Sequence, residues 1–218
     1  KWTVSISAST QTIAAAGGSS TITTNASRSR TWTWNGVGTT HTDTETATPT
    51  LSGTAAGFTL SGTTVTASNN ESTNSRSINI TATYSGVTKS ITISQSAGSK
   101  VYGSWSKWTV SISASTQTIA AAGGNSTLST SATRSRTWQW NGTGTTYTEQ
   151  DSGTPTLSKV SGAATLNSKT VNYGNNTSTN SRSSVFRATI DSVTKDITIT
   201  QSAGSKTYSS WGAWNITL

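Results

Sequence analysis

The side chains of this 218-residue chain that could do chemistry are few, and the clearest are paired carboxylates. Asp43 and Glu45 stand two residues apart, and Glu149 and Asp151 repeat the arrangement. Alternate residues of a β-strand share one face about 6–7 Å apart, a separation that glycosidases use for their two carboxylates. Both pairs lie in polar stretches that lack the apolar neighbours of a glycosidase acid. We interpret them as exposed charges on an edge strand, where charge opposes unwanted strand pairing.

Other catalytic and metal-binding patterns are missing from the sequence. The only histidine, His41, has Tyr147 as its counterpart in the second half of the chain, so a His-based mechanism would exist in one half only. The chain has no Cys, which excludes disulfides and thiolate sites. A weak Ca²⁺ site at Asp43 and Glu45 would need about six oxygen ligands, and the sequence names two. We therefore expect no enzyme, no catalytic residue, no cofactor and no metal.

The chain repeats itself with a period of 106 residues, so that Trp2 recurs as Trp108 and Gln95 as Gln201. A repeat of this length is domain-sized and matches an immunoglobulin-like sandwich. The chain contains no Met, and we expect it to be a fragment of a longer array. The predicted boundaries are a first repeat at residues 1–100, a linker at 101–107, a second repeat at 108–206, and a linker with the start of a third repeat at 207–218.

Short runs of alternating apolar and polar residues, separated by Gly, Asn and Ser, indicate an all-β protein. Examples are the predicted strands Arg76–Tyr84 and Val87–Gln95, which Ser85 and Gly86 join by a turn. The predicted fold is two tandem immunoglobulin-like β-sandwich domains joined by a short linker. No apolar stretch has the length of a transmembrane helix, so we expect no membrane insertion. The net charge of +8 comes from basic residues at matching places in each copy, which favours a solvated surface over a nucleic-acid footprint.

The most distinctive predicted strand covers residues 28–35 and follows a separate Thr-rich strand at residues 20–25. Two arginines and then two tryptophans fall on one of its faces, and Ser, Thr and Asn occupy the other. Because only the Arg/Trp face could be buried, we predict that Trp32 and Trp138 lie in the core. The alternative is a platform on which sugar rings stack, flanked by arginines that bond sugar hydroxyls. The residues of that platform would be Trp34, Trp140, Arg30 and Arg136.

Aromatic residues also occur in the predicted linkers, as Tyr102 and Trp105 and again as Tyr208 and Trp211. We expect these rings to pack on the adjoining domain and to stiffen the joint, since an exposed Trp on a tether is unfavourable. The alternative is that they bind glycans. A further expectation concerns the core, because Phe186 replaces Ile80 where the second copy has lost Phe58. We predict that Phe186 fills the space of Phe58 and that Tyr173, which replaces Ala67, fills any remainder.

Several short motifs recur in the same order in both copies. They are Ala16-Gly17-Gly18 before a Thr-rich strand, the Trp strand, residues 74–80 and residues 91–95. This order resembles the BACON domain, the Bacteroidetes-associated carbohydrate-binding often N-terminal family, over the whole of both repeats. The resemblance implies an immunoglobulin-like sandwich of the kind found beside polysaccharide-degrading enzymes of gut bacteria and in structural proteins of crAss-like gut phages.

From the repeats and this resemblance we expect a non-enzymatic spacer or display module of a virion tail or fibre, or of a bacterial surface protein. Its location would be the virion or the extracellular surface, and its partners would be neighbouring repeats of the same chain. The alternative is a carbohydrate-binding module that recognises gut glycans or a host cell surface.

Overall fold

A computed structural model describes residues 1–212, and their regular structure is almost entirely β-strand. None of these residues belongs to a helix with the length and hydropathy needed to cross a membrane. The strands of the first repeat are β1 (Thr3–Ala8), β2 (Thr12–Ile13), β3 (Gly18–Trp32), β4 (His41–Ala47), β5 (Thr50–Ser52), β6 (Phe58–Ser61), β7 (Thr64–Ala67), β8 (Arg76–Tyr84) and β9 (Val87–Gln95).

The second repeat follows the same order after one additional strand. Its strands are β10 (Lys100–Tyr102), β11 (Thr109–Ala114), β12 (Thr118–Ile119), β13 (Gly124–Trp140), β14 (Tyr147–Gly153), β15 (Thr156–Ser161), β16 (Thr165–Asn167), β17 (Thr170–Tyr173), β18 (Arg182–Ile190) and β19 (Val193–Gln201).

The strands of the first repeat form two sheets that share a core. One sheet has the order β1-β3-β7-β6 with β4 also paired to β3, and the other has the order β2-β9-β8-β5. Ile22 and Val65 from the first sheet and Ile78, Ile80 and Ile93 from the second belong to one buried cluster. The second repeat has corresponding sheets and its own core. The predicted fold, an all-β chain of immunoglobulin-like sandwiches, is confirmed.

Contacts divide the chain into two compact units. The first unit contains residues 1–104 together with 137–148, and the second contains 105–136 together with the chain from Glu149 onward. The division therefore falls within β13 and β14. Part of the predicted linker forms β10, while the predicted start of a third repeat lies at 207–218, of which residues 213–218 are outside the described residues.

β3 is one continuous strand of 15 residues, where the sequence predicted two strands. Its even-numbered residues point toward the core side, and Ile22 and Ala26 are buried there. A strand of this length spans about 50 Å, whereas the nine residues of β8 opposite span about 30 Å. The end of β3 therefore extends past the core. Trp32 is exposed for this reason, and its predicted core position is wrong.

Trp138, the counterpart of Trp32, is half-buried but also lies outside the buried core cluster of the second repeat. Its core position was predicted by the same argument, and it is wrong for the same reason. The structure agrees better with the prediction that Phe186 in the second repeat compensates for the loss of Phe58. Phe186 is fully buried, and Phe58 packs against the cluster that contains Ile80.

β2 and β9, from opposite ends of the first repeat, run parallel to each other, with Thr12 opposite Ser94 and Ile13 opposite Gln95. The Ser94 amide donates to the Gln11 carbonyl at 2.8 Å, and the Ser96 amide donates to the Ile13 carbonyl at 3.0 Å. β12 and β19 form the same parallel pair in the second repeat. Each repeat is thus closed by hydrogen bonds between its early and late strands.

Candidate functional site

The hairpin of β3 and β4 carries a set of facing side chains that we call the first ladder. Its rungs are Arg28 opposite Glu45, Arg30 opposite Asp43, and Trp32 opposite His41. The Arg28 Nε donates to Glu45 Oε2 at 2.6 Å, and the Arg30 Nε donates to Asp43 Oδ2 at 3.1 Å. The paired carboxylates of the sequence analysis are thus each held by an arginine on the neighbouring strand.

The aromatic end of the first ladder is an exposed cluster of rings. Trp32 stacks on His41 at a centroid distance of 4.4 Å and meets Trp34 edge-to-face at 5.4 Å. The Trp32 indole also donates to Asp43 Oδ1 at 3.1 Å, which links the ring to the charged rungs. Trp34 is 70% exposed at the tip. Among the predicted glycan-binding residues, Trp34 and Arg30 therefore lie on one accessible surface.

β4 is an edge strand that pairs only with β3 within residues 1–212, as the sequence predicted. The pairing of the β4 carboxylates with arginines on β3 was not predicted. The signal was available, because arginines two apart on one strand face acids two apart on the next across the turn at Asn35 and Gly36. Opposite charges in such cross-strand positions attract one another.

In the second unit the equivalent arginines cover an aromatic ring from the predicted linker. Arg134 and Arg136 pair with Asp151 and Glu149, as their counterparts do in the first ladder. The guanidinium carbons of Arg134 and Arg136 also lie 4.9 and 4.4 Å from the centre of the Trp105 ring. The Ser106 amide donates to the Ser135 carbonyl at 2.7 Å beside this contact. Trp105 is half-buried as a result.

In the first unit the remaining linker residues pair with the end of β13. β10 is antiparallel to it, with Lys100 opposite Trp140 and Tyr102 opposite Trp138. The Lys100 Nζ lies 4.3 Å from the centre of the Trp138 ring, and the Tyr102 ring lies 6.3 Å from it. The Trp138 ring also stacks on Tyr147, its partner across the hairpin, at 4.4 Å.

The structure therefore separates the eight predicted glycan-binding residues into two groups. Tyr102, Trp105, Arg136 and Trp140 contact other parts of the chain, as expected for the two linker rings, although Tyr102 keeps 43% of its surface exposed. Tyr208 and Trp211, the counterparts of Tyr102 and Trp105, are 82% and 99% exposed, so the prediction that these two rings pack on a domain is wrong. Arg30 and Trp34 belong to the accessible group with them.

A second contact in the first unit joins the hairpin tip to the loop after β7. Asn141, which has a positive φ of 54°, donates through Nδ2 to Asn69 Oδ1 at 2.7 Å and to the Asn70 carbonyl at 3.1 Å. Tyr147 donates to Glu71 Oε2 at 3.5 Å. The sequence analysis did not predict this contact, because the loop residues have no apolar pattern.

The side chain of Gln95 is a buried polar group that the sequence did not predict. Its Nε2 donates to the carbonyls of Ala14, Ala15 and Ser68, and its Oε1 accepts from Arg76 Nε at 2.7 Å. Gln201 makes the equivalent bonds in the second repeat. The signal was the Gln that ends the last strand of both copies. This group closes each sandwich and leaves no atom facing a ligand.

One exposed ion pair differs between the repeats. Arg187 donates to both carboxylate oxygens of Asp196, at 2.7 and 2.8 Å. This hydrogen bond lowers the pKa of Asp196; burial opposes the shift, and the charge attraction of Arg187 adds to it. In the first repeat the hydroxyls of Thr81 and Ser90 hydrogen-bond at these positions, at 2.9 Å. The second repeat therefore has an ion pair between β18 and β19 that the first repeat lacks.

No three His, Cys, Asp or Glu side chains come together in a metal-binding arrangement within residues 1–212. No family model matches the chain, and no curated protein matches it. Among solved structures, the chain is similar to a chimeric titin Z1Z2 functionalized with a KLER exogenous peptide from decorin. That similarity has 8% sequence identity and a TM-score of 0.25, and it covers 92% of this chain and 97% of the titin chain. The resemblance to the BACON domain remains a prediction.

Proposed function

We propose that the chain is a non-enzymatic spacer or display module, built from tandem repeats, in a virion tail or fibre or in a bacterial surface protein. The observation that carries this proposal is the use of the linker aromatics. Trp105 lies under Arg134 and Arg136, and Tyr102 packs beside Trp138. Residues that could have bound a ligand instead pack on the repeat that follows the linker, which agrees with a spacer.

Two further features agree with a non-enzymatic role. Immunoglobulin-like sandwiches typically serve as binding or structural scaffolds. The carboxylates of the first ladder are paired with arginines across the hairpin, and this pairing accounts for their presence without catalysis. The setting in a phage or on a bacterial surface comes from the resemblance to the BACON domain.

A carbohydrate-binding module is the second candidate, and the accessible end of the first ladder favours it. Trp34 is mostly exposed and is braced edge-to-face by Trp32, so it presents a fixed aromatic surface. Arg30, four residues before Trp34 in the sequence, is also exposed, and its guanidinium can donate to sugar hydroxyls.

A glycan array probed with the full 218-residue chain separates the two candidates. The spacer function predicts no bound glycan at micromolar protein. The module function predicts binding that Trp34→Ala abolishes while the circular dichroism spectrum is unchanged. Val160→Ala is a matched control, because Val160 is an exposed apolar residue outside the first ladder and outside its counterparts in the second repeat.

A further inference from the structure

The sequence contains two copies of a linker segment and two copies of the Arg/Trp strand that such a segment can bind. Only one linker segment is bound to an Arg/Trp strand in the structure. By the 106-residue period, residues 205–212 correspond to residues 99–106, and residues 28–35 correspond to residues 134–141. We call residues 205–212 the tail segment. Residues 99–106 contact residues 134–141, whereas the tail segment is exposed throughout and the first ladder is exposed from Arg28 to Trp34.

The cost of leaving these parts separate is visible in the exposure of the arginines. The side chain of Arg136 is 24% exposed where Trp105 covers it, and its counterpart Arg30 is 82% exposed. The side chain of Arg134 is likewise less exposed than that of its counterpart Arg28, at 28% against 49%. Trp211, the counterpart of Trp105, is almost fully exposed. Arg28 already lies over the Trp2 ring at 4.7 Å, as Arg134 lies over Trp108 at 4.3 Å, so the arginine left uncovered is Arg30. The exposed Trp211 and Arg30 are the two halves of one cation–π contact.

The backbone shows the same complementarity. β13 continues to Trp140, where β10 pairs with it, whereas β3 ends at Trp32. The Gly103 and Ser106 amides donate to the carbonyls of Thr137 and Ser135. Within residues 1–212, the corresponding stretch of β3 from Arg28 to Trp32 pairs with β4 alone. An exposed edge of this kind is a template for a strand from another chain.

We propose that the tail segment binds the first ladder of another repeat, and that between separate 218-residue chains this contact joins one copy head to tail with a second copy. Trp211 lies under Arg28 and Arg30, and Tyr208 and Lys206 meet Trp32. This inference deepens the proposed spacer function and rests on it, because it extends between chains the contact that joins repeats within the chain. Since the two surfaces differ, each added copy leaves one of each free, and an open fibre is the expected product.

A second point of contact reinforces this arrangement. Asn141 bonds Asn69 and Asn70, and the counterparts of these three residues are Asn35, Asn175 and Asn176. Asn35 holds the same positive φ, 50° against 54° for Asn141, so its side chain starts from the same backbone geometry. The loop of one copy that carries Asn175 would therefore receive Asn35 of the next.

Two substitutions in the tail segment make the contact between copies weaker than the one within the chain. Ser209 replaces Gly103, where a Cβ would lie 3.2 Å from the Thr137 hydroxyl and would require a small shift. Gly212 replaces Ser106, whose hydroxyl accepts from the Ser135 amide at 2.9 Å. Association also costs translational and rotational entropy that the connected chain does not lose. We expect association that depends on protein concentration rather than a permanent assembly.

Sedimentation velocity of the full chain over a range of concentrations tests the proposal. The expected result is a sedimentation coefficient that rises with concentration. Trp211→Ala, which disables the tail, and the double variant Arg28→Ala, Arg30→Ala, which disables the head, should each weaken association about tenfold or more. Val160→Ala should associate as the wild type does. A wild-type chain that stays monomeric, or variants that associate normally, would overturn the proposal.

A mixture of the two disabled variants gives the sharper result. One retains a head and the other a tail, so the mixture should form a one-to-one complex and nothing larger. Non-specific attraction between exposed aromatic rings predicts no such complementation, and a mixture that stays monomeric refutes the head-to-tail contact. These outcomes are separate from those of the glycan array. A monomeric chain that binds no glycan keeps the spacer function, whereas glycan binding through Trp34 overturns that function whatever the state of association.

Discussion

Phe58 and Ala67 lie opposite each other in the antiparallel pair of β6 and β7, and the aromatic ring changes sides of this pair between the repeats. In the first repeat the Phe58 ring lies 5.6 Å from the Arg76 guanidinium carbon. In the second, Tyr173 at the position of Ala67 lies 5.9 Å from the counterpart of that arginine. Each repeat therefore has an aromatic ring beside this arginine, supplied by one strand of the pair in the first repeat and by the facing strand in the second. The sequence predicts instead that Phe186 chiefly fills the space of Phe58.

Phe58→Ala should lower the free energy of unfolding by about 2–4 kcal/mol, somewhat less than a fully buried Phe because this ring is half-buried. Adding Ala67→Tyr should restore part of the loss, since the new ring can lie under Arg76. Chemical denaturation of the single and double variants measures both effects. Restoration by Ile80→Phe and not by Ala67→Tyr would favour the original volume argument instead.

Gln95→Ala should lower the free energy of unfolding by about 2–4 kcal/mol, because several buried carbonyls and Arg76 lose their partner at once. Gln95→Glu keeps the size of the side chain but removes the Nε2 donor, so it should also destabilise. Gln11→Ala is the control, since Gln11 is exposed, and it should change stability by less than about 0.5 kcal/mol. Equal effects of the Gln95 and Gln11 variants would contradict the role of the buried amide.

The sequence predicts the central strands well and the ends of the sandwich poorly. β8 and β9 have the predicted bounds, because an alternating pattern and a Ser-Gly turn are local properties. The same alternation places Arg28 and Trp32 on the core side of β3 correctly. It carries no information on where the opposite sheet ends, and that limit decides that Trp32 is exposed. Gln95 was missed for a related reason, since a polar residue at the end of a strand is ordinarily at the surface.

The Arg187–Asp196 pair should make the stability of the second repeat sensitive to acid. Folding lowers the pKa of Asp196, so its contribution is present above the pKa of the unfolded state, about 4, and is lost as the pH falls through the lower folded value. The double variant Arg187→Thr, Asp196→Ser copies the residues of the first repeat. Melting temperatures measured from neutral pH downward should differ most at neutral pH and converge in acid. A constant difference at every pH would exclude this linkage.

The turn between β8 and β9 offers a stabilising substitution. Ser85 and Gly86 have positive φ angles of 49° and 75°, which suit a two-residue hairpin turn. Asn tolerates that conformation better than Ser, so Ser85→Asn should stabilise by about 0.5–1 kcal/mol. Gly86→Ala should destabilise by about 1 kcal/mol through conformation alone, because a Cβ there would meet no atom within 4 Å. A fall in melting temperature with Ser85→Asn would argue against this turn geometry.

Trp105 and Trp211 form a matched pair for testing the linker contact. Trp105→Ala should lower the free energy of unfolding by about 1–3 kcal/mol, because the ring lies under two guanidinium groups. Trp211→Ala removes an almost fully exposed ring and should leave the unfolding of dilute, monomeric protein unchanged within about 0.5 kcal/mol. Thermal or chemical unfolding of both variants at low concentration provides the comparison. Equal losses would mean that the contact of Trp105 contributes nothing.

The parallel pairing of β2 with β9 also determines how a repeat would respond to tension. The chain enters the repeat through β1, which pairs with β3, and leaves it just after β9. Once β1 has been pulled away from β3, a pull on the two ends drives β2 and β9 in opposite directions along their own axes, because these two strands are parallel. The hydrogen bonds of Ser94 and Ser96 would then be sheared together instead of being unzipped one after another. Forced unfolding is governed by the height of the unfolding barrier, and loading these bonds simultaneously raises the force needed to cross it. Each sandwich is thus closed by two short parallel strands that a pull on its ends would load in shear.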